Sequence, residues 1–142
     1  MLRQILLGSG LVGLTVVFQA LVTVVGLRCL DLLEKRKQDF THRHAVLVTV
    51  FFVLLMFLAV IVDVWMWAGF YYHVEMTKTF EEALYFSTTT FTTLGYGDVV
   101  PPREWRILAS IEGANGLMIF GWATAFVVAA IQHFNVWLTA NK

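Results

Sequence analysis

Apolar residues along the chain gather into three long blocks, residues 4–27, 44–62 and 107–132, where charged side chains are almost absent. A helix needs about 20 such residues to cross a hydrocarbon core of roughly 30 Å, and each block approaches or exceeds that length. The pattern predicts three membrane helices, the second from about His44 to Trp67 and the third from about Trp105 to Phe134. The first block follows Arg3, as a secretory leader would. Its 24 uncharged residues from Gln4 to Leu27 exceed the roughly 7–15 of a leader's apolar core, so it reads as a retained helix. Between the second and third blocks, Thr79-Phe80-Glu81-Glu82 has the form of a capping box and predicts a helix starting near Phe80. The uncharged run from Ala83 to Gly97 is too short to span the membrane. It must enter and return on one side as a re-entrant loop whose irregular backbone lines water or protein.

Composition sharpens this picture. With 58% hydrophobic and 14% charged residues, the 142-residue chain is far from the quarter or so of charged residues in soluble domains. Soluble enzymes are a poor fit. Ten basic against ten acidic side chains give no net charge, so no nucleic-acid partner is expected. The single Cys29 excludes an intrachain disulfide and reads as an inert small residue. Arg28, Lys35, Arg36, Lys37 and Arg43 outnumber Asp31, Glu34 and Asp39, which marks that segment as a cytoplasmic loop. The N-terminus and the re-entrant loop then lie outside the plasma (inner) membrane of the cell, and the C-terminus inside. The organisation is a helix in 1–27, a basic loop in 28–44, a core unit in 45–134 and a short tail in 135–142. Trp65, Trp67, Phe70, Tyr71 and Tyr72 read as an aromatic belt at headgroup level.

The re-entrant loop carries Thr93-Leu94-Gly95-Tyr96-Gly97-Asp98. Here the chain resembles the potassium channels, whose filter loop is Thr-Val-Gly-Tyr-Gly, with Leu94 in place of Val. The resemblance covers outer helix, pore helix, filter and inner helix, roughly residues 45–133, and leaves the first helix outside it. It implies an all-α membrane protein, a homotetramer in lipid conducting K⁺, with no cofactor other than the permeant ion. Successive carbonyls of one strand face one axis only if backbone handedness alternates, and Gly95 and Gly97 allow that at little cost. The carbonyls of Thr93, Leu94, Gly95 and Tyr96, with the Thr93 hydroxyl, would then replace a cation's hydration shell. Leu94 and Tyr96 side chains point away and brace the ring. Family pore helices often carry tryptophans where Tyr85 and Phe86 stand, one of them donating to the carboxylate after the filter. Phe86 has no donor, which leaves Tyr85 or another partner to hold Asp98. Pro101-Pro102 ends the filter strand. The segment from Ala68 to Arg106 has Glu75, Glu81, Glu82, Asp98 and Glu104 against Lys78, Arg103 and Arg106, a mouth that would concentrate cations.

Other polar residues have plainer readings. Thr88, Thr89 and Thr90 are expected to bond back to their own helix, with Thr89 also placed to support the filter. Gly121, Ala125 and Ala129, at four-residue spacing, suggest close packing, with Gly116 or Gly121 as the alternative of a gating hinge. Ser9 and Gly13 suggest that the first helix packs through that face. His42, His44, His73 and His133 read as surface residues near the membrane boundary. Asp63 is expected to reach the outer interface, and Glu112 to bond a pore-helix hydroxyl and steady the filter. No arginine lies between Arg3 and Arg28, so the first helix is no voltage sensor. The chain ends soon after the inner helix, so control is expected from the filter, the inner-helix crossing, lipid, protons or a separate subunit. Two alternatives to a potassium-selective channel stay open: a weakly selective cation channel, and a non-conducting scaffold or accessory subunit that keeps the fold.

Overall fold

A computed structural model describes the backbone of residues 1–36 and 42–140 and the side chains of residues 1–32 and 46–132. Its described elements are four helices with no strand: α1 Leu2–Arg36, α2 His42–His73, α3 Phe80–Phe91 and α4 Arg106–Ala140. Stretches of 31, 28 and 27 residues in α1, α2 and α4 are long and apolar enough to cross a membrane. The long helices outrun their apolar blocks. α1 continues past Leu27 through Asp31 and Glu34 to Arg36, because Leu, Glu, Lys and Arg are good helix formers that need no bilayer. α2 likewise passes Trp67 and stops at His73, and α4 passes Phe134 and is described as far as Ala140. Part of the expected basic loop, residues 37–41, lies outside the described residues.

Helix directions follow from the contacts. Gln4 meets Ile107, Thr15 meets Asn115 and Thr23 meets Trp122, so α1 and α4 run parallel. Tyr71 meets Glu112 and Phe52 meets Phe126, so α2 runs antiparallel to α4. The start of α1, the end of α2, the start of α4 and the filter therefore share one side of the molecule. α2, α3 and α4 close around a core of Val64, Trp67, Tyr71, Phe86, Phe91, Leu108 and Ile119. Trp67 and Tyr71 are completely buried there, with Tyr71 edge-on to Phe86 at 5.2 Å, and so do not join an aromatic belt. Of that expected belt, Trp65 and Tyr72 are the exposed members.

The packing face of α1 is not the expected one. Ser9 and Gly13 are exposed, and a methyl group on Gly13 would meet nothing within 4 Å. The buried positions are Gln4, Gly8, Thr15, Gln19, Gly26 and Leu30, which recur at eleven-residue steps, close to three helical turns. Gly8 lies against Leu108 and Ile111, and Gly26 against Phe126 and Phe52. The polar members are bonded across the interface. Asn115 Nδ2 donates to Thr15 Oγ1 at 2.9 Å, Trp122 Nε1 donates to Thr23 Oγ1 at 3.1 Å, and Gln19 Nε2 reaches Met56 Sδ at 3.4 Å. At the helix start, Gln4 Oε1 accepts the Ile107 amide at 3.1 Å and so satisfies one of the free N–H groups of α4. Beside it the Arg3 guanidinium stacks over Trp105 at 5.6 Å.

Candidate functional site

The re-entrant unit is built as its local chemistry dictates. Thr79 Oγ1 accepts the Glu82 amide at 3.1 Å and Glu82 Oε2 accepts the Lys78 amide at 3.1 Å, which caps α3 and sets its first turn. Thr88 and Thr89 hydroxyls donate to the Leu84 and Phe86 carbonyls, at 2.7 and 3.0 Å, as threonines in an apolar helix tend to do. α3 then stops at Phe91, whose carbonyl sits on Gly116 of α4. Gly116 is ten residues into α4, or about 15 Å along it at 1.5 Å per residue. The C-terminus of α3 therefore ends about halfway through a core of roughly 30 Å. The helix dipole places about half a negative charge at that depth.

From there the chain turns back toward the outer ends of α2 and α4. Thr93 N–H donates to the Thr90 carbonyl at 2.9 Å, and Gly95 N–H donates to the Thr89 carbonyl at 3.0 Å. Thr89 thus holds the filter strand through its backbone, while its hydroxyl serves its own helix. The φ angles are +61° at Thr93, +53° at Gly95 and +78° at Gly97, so every second residue is left-handed. The two glycines were legible in the sequence. Thr93 was not, because a left-handed β-branched residue costs on the order of 1–3 kcal/mol and stays only where its surroundings force it. Leu94 and Tyr96 point away from their own chain's core and are 57% and 68% exposed. A cavity of about 330 Å³ lies behind the strand, lined among others by Phe86, Thr89, Gly95, Gly97 and Val99.

Asp98, at the outer end, accepts a 2.6 Å hydrogen bond from Tyr85 Oη, and the Val99 amide donates to its other oxygen at 3.0 Å. Of the two partners left open by the sequence, Tyr85 is the one the fold brings up. The Tyr85 bond holds the Asp98 carboxyl below its ordinary range, and the same carboxylate pushes the Tyr85 phenol up. Phe86 is buried, with its ring edge-to-face against Tyr71.

Glu112 is completely buried and lies between the three pore elements. Its Oε1 is 2.5 Å from Ser87 Oγ of α3, and its Oε2 accepts from Tyr71 Oη of α2 at 2.7 Å. Tyr71 is thus a buried hydrogen-bond partner and not an interface aromatic; a phenol in an otherwise apolar span is the signal that it needs a polar partner. Asp63 does not reach the interface. It is completely buried, and neither of its oxygens has a hydrogen-bond partner among the described residues. Gly116 is a contact point, since a methyl group there would fall 1.9 Å from the Phe91 carbonyl oxygen. Gly121 is open, with nothing within 4 Å of such a methyl, and Ala125 and Ala129 are exposed beside it. All three small residues are exposed, so among the described residues none is buried in packing. Ser110, Ala114, Leu117, Gly121, Thr124 and Val128 form the free face of α4, turned away from the face that holds α1.

Comparison with known proteins agrees with this architecture. Residues 57–133, from α2 through α4, match a family described as "Ion channel". The chain is 34% identical over 89 residues, 59% of its length, to the voltage-gated potassium channel Kch of Escherichia coli (strain K12), of which that match spans 21%. No solved structure matches it. A re-entrant helix ending at mid-membrane, a Gly-Tyr-Gly strand with alternating handedness and two enclosing helices, matched over more than half of the chain, place this protein in the ion-channel family with the potassium-channel type of pore.

Proposed function

We propose that the chain assembles as a homotetramer and conducts K⁺ selectively through an axial pore lined by the carbonyls of Thr93, Leu94, Gly95 and Tyr96. The observation that carries this reading is the alternating left-handed backbone at 93, 95 and 97. That alternation turns consecutive carbonyls toward one side, where neutral oxygens can take the place of water around a cation. One strand cannot encircle an ion, so a ring of chains related by a cyclic axis is required. The exposure of Leu94 and Tyr96 supports the ring: burying a leucine against a neighbour contributes about 1.5–3 kcal/mol per chain, and the cavity behind the strand offers the space. The free face of α4 would line the path below the filter, and α1, held on another face, would stand at the periphery against lipid. Carbonyl ligands carry no net charge, so ions bind and leave, drawn in by the α3 dipole.

Purified protein in liposomes should pass K⁺ and Rb⁺ far better than Na⁺, with Ba²⁺ blocking. Gly95→Ala should assemble yet pass no current, because φ of +53° is costly for a side-chain-bearing residue. Equal K⁺ and Na⁺ reversal potentials would favour the weakly selective alternative, and normal K⁺ flux through Gly95→Ala would sink the carbonyl geometry. The same reading places the filter on the outside of the plasma membrane and residues 28–44 inside.

A further inference from the structure

Tyr71, Ser87 and Glu112 are completely enclosed where α2, α3 and α4 meet, and the conduction path uses none of them. Glu112 stands one helical turn above Gly116, on which the end of the pore helix rests. Three oxygen–oxygen contacts converge here: Tyr71 Oη to Glu112 Oε2 at 2.7 Å, Ser87 Oγ to Glu112 Oε1 at 2.5 Å, and Ser87 Oγ to the Val64 carbonyl oxygen at 2.9 Å. Among the described residues Tyr71 is the only titratable side chain bonded to this group; α3 offers the neutral Ser87, and no described residue of α1 bonds to it. Asp63, next to Val64 on α2, is the other buried carboxyl among the described residues and has no hydrogen-bond partner among them. No Lys, Arg or His among the described residues bonds to Glu112.

We infer that Glu112 is a positioning residue for the filter and that it works as a neutral carboxylic acid: Glu112 Oε1–H donates to Ser87, Ser87 O–H donates to the Val64 carbonyl, and Tyr71 O–H donates to Glu112 Oε2. Proton counting carries the assignment. A hydroxyl has one hydrogen to give, so an ionised Glu112 leaves two hydrogens for three contacts and one close oxygen pair with no proton between. It also leaves a charge with no cation bonded to it among the described residues at a completely buried junction, which is the arrangement buried groups avoid. As an acid, Glu112 ties the pore helix to both α2 and α4 with every hydrogen used. The filter then keeps its height relative to the inner helix, and raising pH far enough to ionise Glu112 breaks the chain of donors and lets the pore helix shift. This inference rests on the filter reading above, but its first readout does not require conduction.

The test is infrared difference spectroscopy on the purified protein in lipid. At neutral pH the wild type should show the C=O stretch of an undissociated carboxylic acid that Glu112→Gln removes, that Asp63→Asn leaves in place, and that Ser87→Ala shifts by removing its acceptor. In the same vesicles Glu112→Gln, whose amide can make all three bonds, should keep K⁺ flux at neutral pH and lose the wild type's alkaline decline, whereas Glu112→Leu should lose most of its flux. An acid band that Glu112→Gln leaves unchanged, or that Ser87→Ala does not shift, overturns the assignment whatever the channel conducts. So does a Glu112→Gln protein that assembles but is as inactive as Glu112→Leu. Should Glu112→Gln fail to fold, the Ser87→Ala shift still decides.

Discussion

Replacing Gly116 with alanine tests whether the inner helix sets the position of the filter. The added methyl carbon would lie 1.9 Å from the Phe91 carbonyl oxygen, 2.7 Å from its carbonyl carbon and 3.0 Å from its Cα. A tolerable carbon–oxygen contact is about 3.3 Å, so roughly 1.4 Å must be made up between two backbones, neither of which can swing aside as a side chain would. Phe91 is the last residue of α3 and the filter begins two residues later. Functional constellations tolerate displacements of only about 0.5 Å, so the filter cannot keep its oxygens in register. Overpacking of this kind typically costs about 1–3 kcal/mol, and backbone against backbone belongs at the upper end. Gly116→Ala should therefore assemble with lowered thermal stability and lose most of its K⁺ flux in liposomes. Gly113→Ala is the control, because its methyl would meet the Thr90 carbonyl at 3.4 Å, an ordinary contact. Wild-type stability and flux in Gly116→Ala, or equal damage from both variants, would refute the reasoning.

Three further outcomes are expected. The Tyr85 bond favours ionised Asp98 and holds its folded carboxyl below the ordinary range, so its contribution is complete above that range and is lost as pH falls through the lowered value; acidifying the filter side should destabilise the wild-type outer filter, Tyr85→Phe should show that loss at higher pH, and identical acid profiles would count against the bond. With no arginine between Arg3 and Arg28, open probability in planar bilayers should shift with voltage by less than about one elementary charge per channel, and a fitted gating charge of several units would contradict it. In a Cys29→Ser background on intact cells, an impermeant thiol reagent should label His73→Cys and not Gln38→Cys, and labelling at 38 would reverse the proposed orientation.

The division between what the chain pattern determined and what tertiary structure decided has a physical cause. The number of long apolar helices, the capped start of α3, the return of the loop and the left-handed backbone at Gly95 and Gly97 could all be read directly, because each depends on local chemistry: helix length against bilayer thickness, a Thr–Glu cap, two glycines freeing φ. Which face of each helix meets protein could not. In water the buried face differs from the solvated one in hydrophobicity, but in lipid both are apolar, and the periodicity that marks a packed stripe disappears. That is why Ser9 and Gly13 pointed to the wrong face of α1. Gln4, Thr15 and Gln19 were the better guide, since polar side chains in a membrane helix turn toward protein. The same limit hid Tyr71 and Trp67 in the aromatic cluster. Only the packed structure could bring Tyr71, Ser87 and Glu112 together from three helices, or set Phe91 on Gly116 and force Thr93 into a conformation its own preferences oppose.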